Sequence, residues 1–79
     1  MGKDRVLLTE YLTTEDMEGI FEVTYLTIYN WRKKNGLPYY VVNGDTRGSV
    51  RFKGEEVVTW SKSLGKTIKN THPLIKDFV

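Results

Sequence analysis

The sequence predicts a small, mainly helical α+β domain whose elements run in the order helix, helix, β-hairpin, helix. Capping residues open two short amphipathic stretches, an Asn-Gly pair closely followed by proline ends the second, and two β-branched and aromatic stretches flank a glycine-containing turn. The chain has 79 residues, of which 39% are hydrophobic and ten are aromatic. This is enough for one domain with one core, and too much apolar material for a disordered tail.

The first helix is predicted over residues 13–21. Thr13 is a good N-cap, and Asp16 three residues later gives a weaker form of the capping box. Leu12 before the cap and Met17 after it can form a hydrophobic staple. One side of this helix is expected to face the core, because its apolar residues recur at helical spacing: Met17, Ile20 and Phe21.

A second helix is predicted over residues 25–34, with Thr24 as its cap after a tight turn. Ile28, Trp31 and the stem of Arg32 would face the core, and Gly36 marks the end of the helix. The residues expected to face outward are Tyr25, Leu26, Tyr29, Asn30 and Lys33. The last turn holds three cations that suit the negative end of the helix dipole: Arg32, Lys33 and Lys34.

A β-hairpin is predicted next, with strands over residues 39–42 and 50–53 and a flexible turn over 43–49 that carries Arg47 at its tip. A third helix is predicted over residues 55–63, with acidic residues in its first turn and a glycine after its last. The residues expected to form the core around these elements are Ile28, Trp31, Phe52 and Trp60.

The two ends of the chain lie outside this predicted unit, which spans residues 12–63. Residues 1–11 are an N-terminal arm. Residues 64–79 are a C-terminal tail, and two interpretations of it stay open: a flexible tail, or a short arm that returns Leu74, Ile75 and Phe78 to a hydrophobic groove. His72 is most simply a residue of this tail, which is our candidate for a protein contact.

The composition excludes most kinds of catalytic site. Cysteine is absent, which rules out disulfides, a thiol nucleophile and a thiolate zinc site, and a single histidine cannot form a metal cluster. No apolar run is long enough for a membrane span or a signal peptide. Glu55 and Glu56 point about 100° apart on a helix, so they do not converge on a metal. No tyrosine is set in a cluster of basic and histidine groups, as strand cleavage would require. We therefore expect a protein that is not an enzyme and takes no metal or cofactor.

Charge is distributed unevenly along the chain. The formal net charge is +2, but residues 1–24 carry −4, residues 25–53 carry +5 and residues 54–79 carry +1. If the basic middle third folds onto one face, that face suits a polyanion. The alternative is that these charges only form a solvated surface.

The predicted order of elements is that of a winged helix-turn-helix: two short helices joined by a three-residue turn, followed by a two-stranded hairpin. The second helix of such a unit fits the major groove of B-DNA, while the hairpin lies over the backbone and reaches the minor groove. Lysine, arginine and hydroxyl groups contact phosphates. Because the bases of this chain cluster on the second helix and the hairpin, the sequence predicts binding of double-stranded DNA.

Five candidate contact residues lie on or beside the front of the second helix. The hydroxyls of Thr24 and Thr27 suit phosphates, and that of Thr27 also suits a base edge or a bond within the helix. Tyr25 and Tyr29 offer a hydroxyl to phosphate and a ring to a thymine methyl, or they are ordinary surface aromatics. Asn30 is a bidentate partner for adenine or a polar surface residue.

The remaining candidates are cations. Lys33 and Lys34 are phosphate contacts or merely compensate the helix dipole. Arg47 contacts phosphate or the minor groove from the hairpin tip, or is a loop charge. Arg51 and Lys53 flank the DNA backbone if their side chains point outward, and strand alternation leaves their direction open.

A series of short motifs runs through about residues 10–63 in a fixed order: Leu12-Thr13-Thr14-Glu15-Asp16, Val23-Thr24, Thr27-Ile28-Tyr29-x-Trp31, Gly36-Leu37-Pro38 and Arg51-Phe52-Lys53-x-Glu55-Glu56-Val57-x-x-Trp60. The series resembles the excisionase-type, MerR-like winged helix-turn-helix family. The resemblance implies sequence-specific binding of double-stranded DNA in the cytoplasm of a bacterial host. Relatives often carry glycine at Glu22 and basic residues at Tyr25 and Leu26, so this chain departs from the family pattern there.

Within that family, the resemblance implies a recombination directionality factor of a mobile element or phage. Such a protein has a site-specific recombinase as its partner and associates with itself cooperatively on DNA. The alternatives are a phage transcriptional regulator and the DNA-binding part of a packaging terminase small subunit. From another class, the alternative is a protein-interaction module with the same fold, favoured by the acidic first helix and the exposed pair Tyr25 and Leu26.

Overall fold

Three α-helices and a two-stranded antiparallel sheet follow one another in the computed structural model, which describes residues 10–42 and 50–79. In chain order they are α1 (Thr14–Phe21), α2 (Tyr25–Lys34), β1 (Tyr40–Val41), β2 (Val50–Arg51) and α3 (Gly54–Leu64). This order confirms the predicted α+β, mainly helical architecture and is consistent with a winged helix-turn-helix. The predicted N-terminal arm, up to residue 9, and the hairpin tip with Arg47 lie outside the described residues.

The start of α1 is fixed by the capping box that the sequence predicts. The Thr13 hydroxyl accepts a hydrogen bond from the Asp16 amide at 3.1 Å, and the Asp16 carboxylate accepts one from the Thr13 amide at 3.0 Å. Leu12 and Met17 on either side of the cap are both fully buried. Leu12 also exchanges two backbone hydrogen bonds with Phe52, at 2.7 and 2.8 Å, which ties the start of α1 to the end of β2.

The turn between α1 and α2 runs through a left-handed residue. Glu22 has φ 57° and ψ 51°, and its amide donates to the carbonyl of Glu18 at the end of α1. The amide of Val23 donates to the same carbonyl at 3.1 Å. A side chain in this conformation costs free energy that glycine would not, about 1–2 kcal/mol. The sharp turn brings the buried sides of the two helices together.

Aromatic rings from all three helices form the centre of the core. The Phe21 ring meets Trp31 edge-on at 5.2 Å between centroids, and Trp31 lies 5.1 Å from Trp60. The indole N–H of Trp60 donates to the carbonyl of Asn35 at 2.9 Å, which joins α3 to the end of α2. The core prediction for Ile28, Trp31, Phe52 and Trp60 is confirmed, because all four are buried.

The strands are shorter than predicted. Among the described residues of the hairpin, 40–41 pair with 50–51, in a register that places Tyr40 opposite Arg51 and Val41 opposite Val50. Residues at the expected strand ends have other roles: Tyr39 stacks on an arginine of α2, and Lys53 is the N-cap of α3.

Helix α3 is one residue longer at each end than the predicted 55–63. Its first residue, Gly54, packs against the carbonyl oxygen of Leu74 so closely that a Cβ atom would collide with it. Gly65, with φ 71°, ends the helix in the left-handed conformation, as glycine after a helix commonly does.

Residues 66–79, the C-terminal arm, pack back onto the domain. The amides of Lys69 and Asn70 both donate to the carbonyl of Ile20, at 2.8 and 3.0 Å, and so satisfy the free end of α1. Ile75 is fully buried in the main core. Of the two interpretations of the tail, the structure therefore shows the returning arm, with one correction: Phe78 is 42% exposed instead of packed.

The side chains of the arm add polar contacts to α1. The Asn70 amide group donates to the carbonyl of Gly19 at 2.8 Å and to the carboxylate of Glu22 at 2.9 Å. His72 Nε2 lies 3.6 Å from a carboxylate oxygen of Asp16 in the capping box, while its Nδ1 accepts from the Leu74 amide at 3.0 Å. The arm thus contacts both ends of α1 and the turn that follows it.

Candidate nucleic-acid interface

The outward side of α2 carries the largest group of predicted contact residues. Ile28 and Trp31 anchor the opposite side in the core. At 3.6 residues per turn, the outward residues of the first two turns and Lys33 fall within an arc of about 100°. We call this set the α2 outer face: Tyr25, Leu26, Tyr29 and Lys33. All four are exposed, and Leu26, at 62%, is the most exposed of the three apolar members.

The rings and cations of this region touch one another. Tyr25 and Tyr29 stack with their centroids 6.4 Å apart and their planes 30° apart. The Arg32 guanidinium lies 5.2 Å from the centre of the Tyr29 ring and 4.6 Å from that of Tyr39. The Lys33 ammonium lies 5.6 and 5.9 Å from the same two rings. Each such contact contributes about 0.5–1 kcal/mol at an exposed site, so the two cations and the rings hold one another in place.

Sequence reasoning missed two residues of this array of rings and cations, Arg32 and Tyr39. A partial signal for Arg32 was present, because a residue three positions after Tyr29 lies beside it on a helix. The sequence carries no signal for the position of Tyr39, because that position depends on how the chain turns after Gly36 and Pro38. The array therefore extends from α2 onto the segment that leads into β1.

The other predicted residues of α2 flank the outer face. Thr24 occupies the N-cap position as predicted, but its side chain makes no capping hydrogen bond to the helix, and its hydroxyl lies 3.4 Å from that of Thr27. Thr27 and Lys34 project roughly half a turn away from Tyr25 around the helix axis. Asn30 is half-buried between the two sides. The structure thus brings Tyr25, Tyr29 and Lys33 together and places Thr27 and Lys34 on the far flank.

The described part of the hairpin holds two of the predicted hairpin cations, Arg51 and Lys53. Arg51 is half-buried, and its guanidinium donates to the carbonyl of Val50 at 2.9 Å, so it lies back along its own strand. Lys53 is exposed at the start of α3. Arg47 lies outside the described residues. Of the hairpin cations considered, Lys53 is therefore the exposed one in the part of the chain that the structure describes.

A separate polar contact joins the hairpin to α3. The Tyr40 hydroxyl donates to both carboxylate oxygens of Glu56, at 2.8 and 2.7 Å. This hydrogen bond is the main reason why the pKa of Tyr40 is raised above its usual value. Desolvation and the negative charge of Glu56 raise it further. The Tyr11 ring meets that of Tyr40 edge-on at 5.8 Å. Glu56 is thus engaged by the hairpin.

Residues 10–42 and 50–79 contain no group of three or more histidine, cysteine, aspartate or glutamate side chains that could hold a metal ion. In the same ranges, none of the helices combines the length and the apolar character that a membrane crossing needs. Comparison of the chain with protein-family models, curated proteins and solved structures found no match in any of the three.

Proposed function

We propose that this protein binds double-stranded DNA in a sequence-specific manner, with α2 in the major groove. The observation that supports the proposal best is the α2 outer face, whose exposed aromatic and aliphatic groups adjoin Lys33 and lie one turn before the other two cations of the helix. The width of a B-DNA major groove admits one α-helix. The face is on the side of α2 away from the core, so it can enter a groove without unfolding.

The three cations of the last turn of α2 all approach the DNA backbone, but Arg32 differs from the two lysines in how it is held. Lys33 and Lys34 at the end of α2 are exposed and contact phosphates, with the release of counterions from the DNA. The guanidinium of Arg32 is held against two rings, so it approaches the backbone without a large loss of side-chain freedom. Tyr hydroxyls and the Thr24 and Thr27 hydroxyls complete the phosphate contacts.

The biological role that we propose is that of an excisionase-like protein, a recombination directionality factor that guides a site-specific recombinase. The motif series of the sequence and the small size of the domain support this role. One module of this size buries little surface on DNA, so we expect repeated sites, cooperative self-association or a recombinase contact to raise the affinity. Regulation of phage transcription and DNA binding within a packaging terminase small subunit are the alternatives.

The first experiment is a titration of duplex DNA with the 79-residue chain at several salt concentrations. We expect the logarithm of the affinity to fall linearly with the logarithm of the salt concentration. Lys33→Ala should weaken binding and make this dependence shallower, by about one unit of slope if one phosphate contact is lost. Lys76→Ala is the matched control, because it removes the same charge from an exposed position on the C-terminal arm. An equal loss in both variants would show that Lys33 acts only through the net charge of the protein and would overturn the phosphate contact that we assign to it.

A protein-interaction module with the same fold is the second candidate function. Two observations favour it: Leu26 is 62% exposed on α2, and α1 carries acidic residues in its first turn. Absence of duplex binding at low salt would leave this candidate in place. If the DNA is bound, footprinting on attachment sites of mobile elements separates excision control from the roles in transcription and packaging.

A further inference from the structure

The α2 outer face is divided along its length. Its first two turns present Tyr25, Leu26 and Tyr29, which are 45%, 62% and 38% exposed. The positive charge comes only afterwards, at residues 32–34. A cluster of exposed apolar groups on one helix face marks a contact surface. Because cations border this one and α2 contains no acidic residue, the matching partner carries negative charge around an apolar feature.

The apolar part of the face is held in shape. The Tyr29 ring has Tyr25 stacked on it at 6.4 Å, while Arg32 and Lys33 lie 5.2 and 5.6 Å from its centre. Arg32 in turn lies 4.6 Å from the Tyr39 ring. Side chains that are ordered before binding lose less conformational entropy when a partner arrives. The face is therefore suited to discriminating between small differences in the surface it meets.

From these observations we infer that the protein selects its DNA sites by the 5-methyl groups of thymine. Leu26 and the ring edges of Tyr25 and Tyr29 contact the methyl groups, while the cations of the last turn hold the adjacent phosphates. This inference rests on the proposed DNA binding and specifies what the α2 outer face recognises there. Among the four bases, thymine alone presents a methyl group in the major groove.

The position of the charges argues against the other common form of base recognition. Arginine or lysine reads guanine by two hydrogen bonds to its O6 and N7 atoms. In α2 the first two turns, which hold the exposed apolar groups, contain no cation, and Arg32 is engaged with two rings. The face thus offers thymine an apolar contact where guanine would need a cationic donor.

The inference predicts a measurable effect of a single methyl group. Deoxyuridine has the same hydrogen-bonding groups as thymidine and lacks only the 5-methyl. Loss of one buried methyl contact weakens binding roughly fourfold, and loss of two roughly fifteenfold. We therefore expect duplexes with uracil in place of thymine to bind about 4- to 15-fold more weakly than their thymine counterparts.

The test uses duplexes enriched by the 79-residue chain from a random-sequence pool and then rebuilt with deoxyuridine in place of thymidine. For the wild type we expect the thymine form to bind more tightly by the factor above. Leu26→Ala should reduce the preference and weaken mainly the binding of the thymine form. Lys34→Ala is the control: Lys34 is exposed in the same turn, and the cations on the Tyr29 ring are Arg32 and Lys33. Loss of its phosphate contact should weaken both forms equally and leave their ratio unchanged.

The possible outcomes distinguish a failure of methyl recognition from a failure of the proposed DNA binding. Equal affinity of the wild type for the two forms, with steep salt dependence retained, overturns methyl recognition and leaves DNA binding intact. Absence of binding to either form at low salt overturns both. Sedimentation without DNA tests whether a second copy of the chain covers the α2 outer face instead. We expect a monomer. A dimer that Leu26→Ala converts to monomers would show that a second copy covers the face.

Discussion

Helices α1 and α2 are neighbours in the chain, yet they differ in what their outer surfaces contact. The acidic helix α1 has a capping box at its start and the C-terminal arm hydrogen-bonded to its end. The basic helix α2 keeps its outer face exposed, and two of its cations, Arg32 and Lys33, lie on the rings of Tyr29 and Tyr39. The difference indicates that the arm side stabilises the domain, whereas the α2 side is available for a partner.

The largest effect is expected from removing the apolar anchor of the arm. Ile75 is fully buried in the core, so Ile75→Ala should lower the free energy of unfolding by about 2–5 kcal/mol. The matched variant Leu26→Ala truncates an exposed side chain of α2 and should change it by less than about 0.5 kcal/mol. Urea denaturation measures both values. Similar losses in the two variants would contradict the division between the two sides.

The two N-caps give a second, smaller test of the same contrast. The Thr13 hydroxyl accepts from the Asp16 amide, whereas the Thr24 hydroxyl lies beside that of Thr27. Thr13→Ala should therefore lower the free energy of unfolding by about 1 kcal/mol, within the range known for N-caps. Thr24→Ala should cost only a few tenths of that amount, although it removes a predicted phosphate contact. Thermal unfolding of the two variants side by side checks this, and a larger loss for Thr24→Ala would contradict it.

Local signals explain why much of the fold could be predicted from sequence. The caps, helix spans and buried tryptophans follow from residues within a few positions of one another, so α1 and α2 were placed almost to the residue. The strand ends were wrong because Tyr39 and Lys53 have partners or roles beyond the hairpin. Neither the docking of Asn70 on Ile20 nor the contact of Arg32 with Tyr39 has a local signal, because each joins segments through the tertiary path of the chain.

The turn between the helices offers a third comparison, within a single position. Glu22 is left-handed, with φ 57°, and its carboxylate accepts a hydrogen bond from Asn70. Glu22→Ala removes that bond and keeps the strained backbone, whereas Glu22→Gly removes both the bond and the strain. The glycine variant should therefore be the more stable of the two by about 1 kcal/mol. Chemical denaturation measures the difference, and an alanine variant of equal stability would show that the turn relaxes.

The smallest effect concerns an exposed tyrosine of the hairpin that, unlike Tyr25 and Tyr29, has a carboxylate partner. The Tyr40 hydroxyl can donate to Glu56 only while it is protonated, and this bond raises its pKa above the usual value of 10.0. The folded state therefore holds the proton more tightly than the unfolded chain does. The stabilisation is fully present below about pH 10 and is lost as the pH rises through the raised pKa.

Comparison of the wild type with Tyr40→Phe isolates this contribution, because other groups that titrate in the same range are common to both proteins. The wild type should be the more stable below about pH 10, and its advantage should shrink at higher pH. Glu56→Ala is the control: it removes both the acceptor and the charge, so its pH dependence should resemble that of Tyr40→Phe. An advantage that stays constant into the alkaline range would show that the carboxylate does not hold the phenol proton.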